Sequence, residues 1–301
     1  MTYNRERIAA KERIKMGLSR QLSIMMVFLL LMSGCSSSKG AVGKISDSFG
    51  LGEDSNIIMK STQLRVEDLN FLSLNLIPGN EEEVSYLQGQ FQNNSDHTIR
   101  WLNLELLLPG QIPYNLSFYY TIFPGEISPV EQRLVELKET KGDIILKGIS
   151  IEYITPDQTA YYFHYDGATQ SSKWVDKGEF IRQIPPFEVD DLRLQEVQLI
   201  DNRIQNEFYI SAYLKNNSIY KLSEITYLYL LPNGVVDTLS AHQRLFPGER
   251  SSKVYGKGPE SMNQEDIQLL KITYTIDEKE QETHVEYDVK LDCYRVRSQK
   301  K

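Results

Sequence analysis

The sequence is poor in the residues that cross-link a chain or bind metals. Its 301 residues include 2 Cys and 4 His. The two cysteines, Cys35 and Cys293, exclude a framework of several disulfides. No histidine lies three to five residues from another His or from a Cys, so the zinc-binding spacings are missing. The histidines are His97, His164, His242 and His284. We therefore predict no metal and no cofactor.

Motifs of common enzymes are missing as well. The chain has no Gly-x-Ser-x-Gly elbow, no phosphate-binding loop and no EF-hand spacing. Catalytic carboxylates need opposed placement across a cleft, with the pKa of one of them raised. The run Glu81-Glu82-Glu83 is instead interpreted as a solvated hairpin loop that discourages edge-to-edge strand pairing. We predict that the protein is not an enzyme, with a hydrolase carrying a cryptic loop-borne site as an alternative.

Positive charge is scarce outside the first residues. The full chain has a net charge of −8, and residues 1–34 hold six of its 33 basic residues. The remainder has 27 basic against 39 acidic residues, a net charge of about −12. Because nucleic-acid binding requires a basic face that neutralises phosphates, no nucleic-acid partner is predicted.

The apolar run near the N-terminus is too short to span a bilayer. Residues 24–32 are nine consecutive apolar residues, whereas a membrane-spanning helix needs about 20. Six basic residues precede the run and Ser33-Gly34-Cys35 follows it. The basic residues are Arg5, Arg7, Lys11, Arg13, Lys15 and Arg20. This segment resembles a bacterial lipoprotein signal, in which the cysteine receives a diacylglyceryl group.

The resemblance implies that residues 1–34 are a signal peptide and that Cys35 is the lipidated residue. The protein is then expected on the extracytoplasmic face of the cell membrane, held by its N-terminal lipid, or in the outer membrane if the organism has one. A plain secretory signal and an uncleaved anchor are the alternatives. Either Met1 or Met16 serves as the start of translation.

Three landmarks of the sequence occur twice, each displaced by 123 positions. They are Asn93-Asn94-Ser95 with Asn216-Asn217-Ser218, Leu107-Leu108-Pro109 with Leu230-Leu231-Pro232, and Phe123-Pro124-Gly125-Glu126 with Phe246-Pro247-Gly248-Glu249. The two copies align without a gap from Val66 to Glu126. A constant displacement over this length indicates a duplicated domain.

Each copy has the period-two pattern of half-buried strands. Leu87, Gly89 and Phe91 alternate with glutamines, and the Asn-Asn-Ser and Pro-Gly-Glu runs are turn signals. About seven short strands per copy predict an all-β fold of two tandem immunoglobulin-like antiparallel β-sandwiches.

The predicted organisation has six parts. They are the signal peptide 1–34, the lipidated Cys35 with a flexible tether 35–61, β-sandwich domain 1 at 62–167, a linker 168–186, β-sandwich domain 2 at 187–293, and a basic tail 294–301.

The middle of each copy, residues 84–130 and 207–253, resembles the FxLYD-type immunoglobulin-like module of bacterial envelope proteins. The resemblance rests on Asn-Asn-Ser, the alternating strand after it, and the later Pro-Gly-Glu turn. It implies a sandwich fold and no shared set of catalytic residues.

One group of aromatic residues occurs in the first copy alone. Trp101, Tyr114, Phe118, Tyr119 and Tyr120 stand where the second copy has Glu224, Asp237, Ala241, His242 and Gln243. Because a shared core should be apolar in both copies, we predict that these aromatics form a surface patch for a partner, either an envelope protein or a carbohydrate. The alternative is that they pack against the tether or the second domain.

These features together favour a non-enzymatic binding or scaffolding module. An accessory subunit or spacer of an envelope complex for secretion, wall assembly or transport is the alternative.

Overall fold

The computed structural model describes residues 63–79, 84–137, 142–202, 207–259 and 267–301. The predicted signal peptide, Cys35 and the tether lie outside the described residues, as does the Glu81-Glu82-Glu83 run. Within the described ranges there is no helix of the length and hydropathy that a membrane crossing requires.

The described residues form sixteen strands, eight in each copy. Repeat 1 consists of β1 (Leu69–Pro78), β2 (Val84–Asn93), β3 (Thr98–Leu108), β4 (Ile112–Phe118), β5 (Glu131–Glu136), β6 (Ile145–Ile154), β7 (Thr159–Asp166) and β8 (Ser171–Glu179). Repeat 2 consists of β9 (Leu192–Asn202), β10 (Glu207–Asn216), β11 (Leu222–Leu230), β12 (Val236–Ala241), β13 (Val254–Lys257), β14 (Gln268–Asp277), β15 (Gln281–Asp288) and β16 (Cys293–Lys300). A one-turn 3-10 helix precedes each repeat's first strand, at Val66–Asp68 and Val189–Asp191.

Each repeat contains a three-stranded and a five-stranded sheet with the same strand order. The orders are β1-β2-β5 and β4-β3-β6-β7-β8 in repeat 1, and β9-β10-β13 and β12-β11-β14-β15-β16 in repeat 2. Every neighbouring pair within these sheets is antiparallel. The prediction of an all-β antiparallel fold is therefore confirmed for the described residues.

The four small sheets contact one another in a propeller-like ring. Within each repeat, the two sheets share one hydrophobic cluster. The two five-stranded sheets meet through an ion pair between Arg295 and Glu152, 2.9 Å apart. The two three-stranded sheets approach where the ammonium of Lys257 lies 5.7 Å from the ring centre of Tyr86.

Burial follows the period-two pattern. On β2, Leu87 and Phe91 are fully buried while their neighbours are half-buried. On β11, Tyr227 and Tyr229 are buried at the positions that Leu104 and Leu106 occupy on β3. Alternate side chains of a strand point to opposite faces, so one face of each sheet supplies the core.

Two stretches differ from the predicted organisation. Residues 171–179, inside the predicted linker, form β8, which pairs with β7 along its length. Residues 293–300, most of the predicted basic tail, form β16, which pairs with β15. Both strands lie at the edge of a five-stranded sheet. Because β8 is mostly exposed, its sequence is polar and lacks the apolar alternation by which a buried strand is predicted.

A buried asparagine joins the two sheets of each repeat. The Asn93 side-chain amide donates to the backbone carbonyls of His97 (2.8 Å) and Ile122 (3.2 Å), and its oxygen accepts from the Ser95 backbone N–H (3.1 Å). Its own backbone carbonyl accepts from Gly125 N–H at 2.7 Å. Gly125 has φ of 80°, a conformation that glycine adopts without steric cost.

The same bonds recur 123 positions later. Asn216 donates to Tyr220 (2.8 Å) and Leu245 (3.1 Å) and accepts from Ser218 N–H (3.0 Å), and Gly248 repeats the φ of 80°. Both asparagines are fully buried. The duplication therefore extends to individual hydrogen bonds, and the turn chemistry predicted for Asn-Asn-Ser is confirmed.

Replacing Asn93 by alanine should lower the free energy of unfolding by about 3 kcal/mol, because two carbonyls each lose one donor and the buried Ser95 backbone N–H loses its acceptor. Asn216→Ala should have a similar effect. Urea unfolding measures both. The matched controls are Asn94→Ala and Asn217→Ala, whose side chains are exposed and which should change stability by less than about 0.5 kcal/mol. Equal effects of the buried and exposed substitutions would contradict the structural role.

Candidate binding cleft between the two repeats

A cleft of about 400 Å³ lies between the outer faces of the two five-stranded sheets. Repeat 1 and repeat 2 both contribute to its walls, and the stretches involved are far apart in sequence. Its lining residues are Arg100, Trp101, Tyr119, Glu152, Tyr162, Lys177, Lys271, Glu286, Arg295 and Arg297. Five of these are basic, two are acidic and three are aromatic. Two of the five predicted aromatic residues, Trp101 and Tyr119, are among them.

The other three predicted aromatic residues belong to the core of repeat 1. Phe118 is 1% exposed and Tyr120 is 2% exposed, and their rings contact each other edge to face at 6.1 Å. Tyr114 is half-buried and packs against the same cluster. The surface-patch interpretation does not fit Phe118 and Tyr120, because both side chains are inaccessible to a partner.

An aromatic residue that occurs in one copy alone can still belong to the core, because the two repeats distribute their core volume differently. Ala241, the counterpart of Phe118, is also buried, so this position is a core position in both repeats. Repeat 2 instead places the large ring of Tyr229 where repeat 1 has Leu106, and both of these are buried. A close-packed core accepts such exchanges when its total volume is conserved.

A β-bulge places two adjacent side chains at the cleft. The pairing of β3 with β6 shifts between Ile99 and Trp101, which leaves Arg100 as the extra residue. A bulge alters the direction of the side chains beside it, so Arg100 and Trp101 both reach the cleft. Repeat 2 has the same shift between Leu222 and Glu224 but no basic or aromatic residue there.

Two carboxylates are shared among the basic residues of the cleft. Glu152 lies 3.3 Å from Arg100 and 2.9 Å from Arg295, and this contact joins the two repeats. Glu286 lies 3.5 Å from Lys271. Arg100 and Lys271 are each 7% exposed, so two of the five positive charges are almost removed from water.

The pKa of Glu286 is held well below its ordinary range. Burial, the largest single influence, raises the pKa, but favourable neighbours outweigh it. These neighbours are the ring of His284 and the charges of Lys271, Arg295 and Arg297. Glu286 is therefore ionised at neutral pH, when a general acid would need to hold a proton.

Most residues of the cleft are not evident from the sequence pattern. Arg295 and Arg297 fall in the predicted tail, although their spacing of two is the strand period and places them on one face of β16. Arg100 carries no comparable signal, because a bulge is set by the pairing of strands.

The remaining reactive groups have simple structural roles. Cys293 is 2% exposed at the start of β16, and burial raises the pKa of its thiol, which disfavours the reactive thiolate. No group of three His, Cys, Asp or Glu side chains in the described ranges is placed to hold a metal ion.

A second buried carboxyl lies outside the cleft. Glu131 on β5 is 3% exposed, and its carboxylate contacts the Arg133 guanidinium at 2.5 Å. Burial raises the pKa of Glu131 to about 7, although Arg133 and the Tyr120 hydroxyl both favour the ionised form. The neighbouring charge of Asp237, from repeat 2, adds to the increase.

The comparisons with known proteins do not identify the chain. The sequence matches no protein-family model and no curated protein. Among solved structures, it is similar to a red sea bream transglutaminase, at 9% identity and a TM-score of 0.17 over 83% of this chain. The chain spans 34% of the length of that protein. A likeness this low carries no argument about fold or activity.

The two adjacent tyrosines should respond differently to serine substitution. Tyr120→Ser should lower the free energy of unfolding by about 3–4 kcal/mol, because it removes a buried ring. Tyr119, 49% exposed, is the matched control, and Tyr119→Ser should change stability by less than about 0.5 kcal/mol. Urea unfolding distinguishes the two, and a large loss for Tyr119→Ser alone would contradict this placement.

The raised pKa of Glu131 predicts a pH dependence of stability. The folded state favours the protonated carboxyl, so the associated stability is complete below the ordinary pKa of 4.5 and is lost as the pH rises through about 7. Glu131→Gln should remove this loss of about 3 kcal/mol, as measured by urea unfolding between pH 4.5 and 8. Glu136→Gln, at an exposed position of the same strand, is the control. Parallel pH profiles for wild type and Glu131→Gln would contradict the assignment.

Proposed function

We propose that this protein is a lipid-anchored, non-enzymatic binding module on the extracytoplasmic face of a bacterial membrane, and that the cleft between its repeats is the ligand site. The observation that carries the proposal is the composition of the cleft. Five basic and three aromatic side chains from two repeats converge on one concavity, in a chain whose net charge is −8. Concave sites with a few convergent polar groups are typical ligand sites.

The chemistry of the cleft favours binding over catalysis. Both lining carboxylates are paired with basic side chains, and no Ser, Cys or His is among the lining residues. A nucleophile with an adjacent base is therefore missing from the described walls of the cleft.

Each repeat is proposed to be an immunoglobulin-like sandwich of the FxLYD type. In support, the hydrophobic cluster of repeat 2 is built from both sheets of that repeat, and the cluster of repeat 1 is built mainly from both sheets of repeat 1. The recurring hydrogen bonds of Asn93 and Asn216 join the strand ends and turns on which the resemblance rests. The closing of the four sheets into a ring then brings two such units together.

A spacer or accessory subunit of an envelope complex is the second candidate, and the junction of the repeats favours it. Thr121 donates a 2.5 Å hydrogen bond to Asp288, and both residues are buried. Val130 pairs with Val235 in a short parallel bridge, and Val236 of repeat 2 belongs to the hydrophobic cluster of repeat 1. Such contacts hold the two repeats at a fixed separation, which suits a spacer.

The anchor is tested by the intact mass of the protein extracted from membranes. The expected mass corresponds to cleavage before Cys35 plus a diacylglyceryl group, and Cys35→Ala should abolish the modification. The matched control is Cys293→Ala, which removes the other cysteine and should retain the lipid. An unmodified full-length mass for the wild type would contradict the anchor.

A further inference from the structure

The ion pairs within the cleft leave positive charge in excess. Glu152 and Glu286 are the two carboxylates among ten lining residues, against five basic side chains. Three positive charges are therefore uncompensated by the walls. A concave site of one sign concentrates the electric field and attracts ions of the opposite sign. The expected ligand is an anion with a small number of charges.

Arg100 adds an independent indication of a missing partner. Its side chain is 7% exposed, and its Nε is buried without a hydrogen-bond partner among the described residues. The ion pair that it makes within the described ranges, to Glu152, spans 3.3 Å, and its guanidinium carbon lies 4.9 Å from the ring centre of Phe180. Burying a charged group with so few partners is costly, which is typical of a residue kept for binding rather than for stability.

The aromatic residues give the cleft apolar surface. Trp101 on β3 and Tyr162 on β7 are nearly parallel, with ring centres 6.5 Å apart and an interplanar angle of 19°. They lie in one cross-strand row, because Trp101 pairs with Glu152 and Glu152 pairs with Tyr162. Tyr119, 49% exposed, lines the same cleft. Such side chains offer a large apolar contact area together with a polar edge.

We propose that the cleft binds an anionic saccharide, a sugar chain that carries carboxylate or phosphate groups. This rests on the proposed function of the cleft as a ligand site. A sugar ring has an apolar C–H face that packs against Trp101 and Tyr119, and its anionic group is placed among Arg100, Arg295 and Arg297. The volume of about 400 Å³ falls within the range of roughly 300–1,000 Å³ that ligand pockets occupy.

Isothermal titration calorimetry on the full-length detergent-solubilised protein tests the proposal with four probes. They are trigalacturonate, maltotriose carrying a terminal phosphate, neutral maltotriose, and inorganic phosphate. At least one anionic sugar should bind at least tenfold more tightly than both maltotriose and phosphate, and the two anionic sugars distinguish a carboxylate from a phosphate source. Binding should weaken as sodium chloride increases from 50 to 500 mM, because salt screens the exposed charges.

Two variants locate the binding. Trp101→Ala removes apolar surface from the cleft and Arg297→Ala removes an exposed charge, and each should weaken binding at least fivefold. Glu224→Ala, at the position of Trp101 in repeat 2, and Arg193→Ala, an exposed arginine on β9, are the matched controls and should leave binding unchanged. Because Arg297 is exposed, its variant keeps the test informative if Trp101→Ala fails to fold.

Two results would overturn the proposal: no binding of either anionic sugar, or neither anionic sugar binding more tightly than both maltotriose and phosphate. Failure here is distinguishable from failure of the lipid anchor, because the intact mass reports the anchor separately.

Discussion

The structure depends on one buried amide in each repeat. Asn93 and Asn216 each end the middle strand of a three-stranded sheet. Each donates to a carbonyl just before β3 or β11 and to a carbonyl in the bridging segment that follows β4 or β12. A buried amide that loses such partners costs free energy for each unpaired group. These bonds therefore fix the two sheets of a repeat relative to each other. Trp101 follows the bonded residue His97 by four positions, so the bulge that contributes to the cleft lies close to this constraint.

The two repeats share one fold because of the duplication, and the cleft arises from residues on their outer faces that differ between the repeats. The two repeats have the same sheet orders, the same asparagine bonds and the same bulge on the third strand. They differ in what the bulge carries, which is Arg100 and Trp101 in repeat 1 and Ser223 and Glu224 in repeat 2. The ring of sheets brings the outer face of one repeat against that of the other. Both repeats therefore line the cleft, but they contribute different side chains.

The parts of the fold that depend on residues close together in the sequence could be predicted from it. The Asn-Asn-Ser turns, the positive φ of Gly125 and the burial of Leu87 and Phe91 all follow from neighbours in sequence. Comparison of the copies assigns Phe118 to a surface because repeat 2 has no aromatic residue at that position. A comparison of single positions does not show how core volume is shared between strands. Sequence reasoning missed the cleft because that site joins residue 100 to residue 297, and such contacts depend on how four sheets close into a ring.

The most direct test of this account is ¹⁹F NMR of the protein labelled with 5-fluorotryptophan. The sequence has two tryptophans, Trp101 in the cleft and Trp174, whose indole N–H donates to the Leu64 carbonyl at 3.0 Å against the core of repeat 1. Trp101→Phe assigns the two resonances. Titration with the two anionic sugars should shift the Trp101 resonance saturably for the one that binds and leave that of Trp174 in place. If neither resonance moves with either sugar, or if both move together, the cleft is not the ligand site.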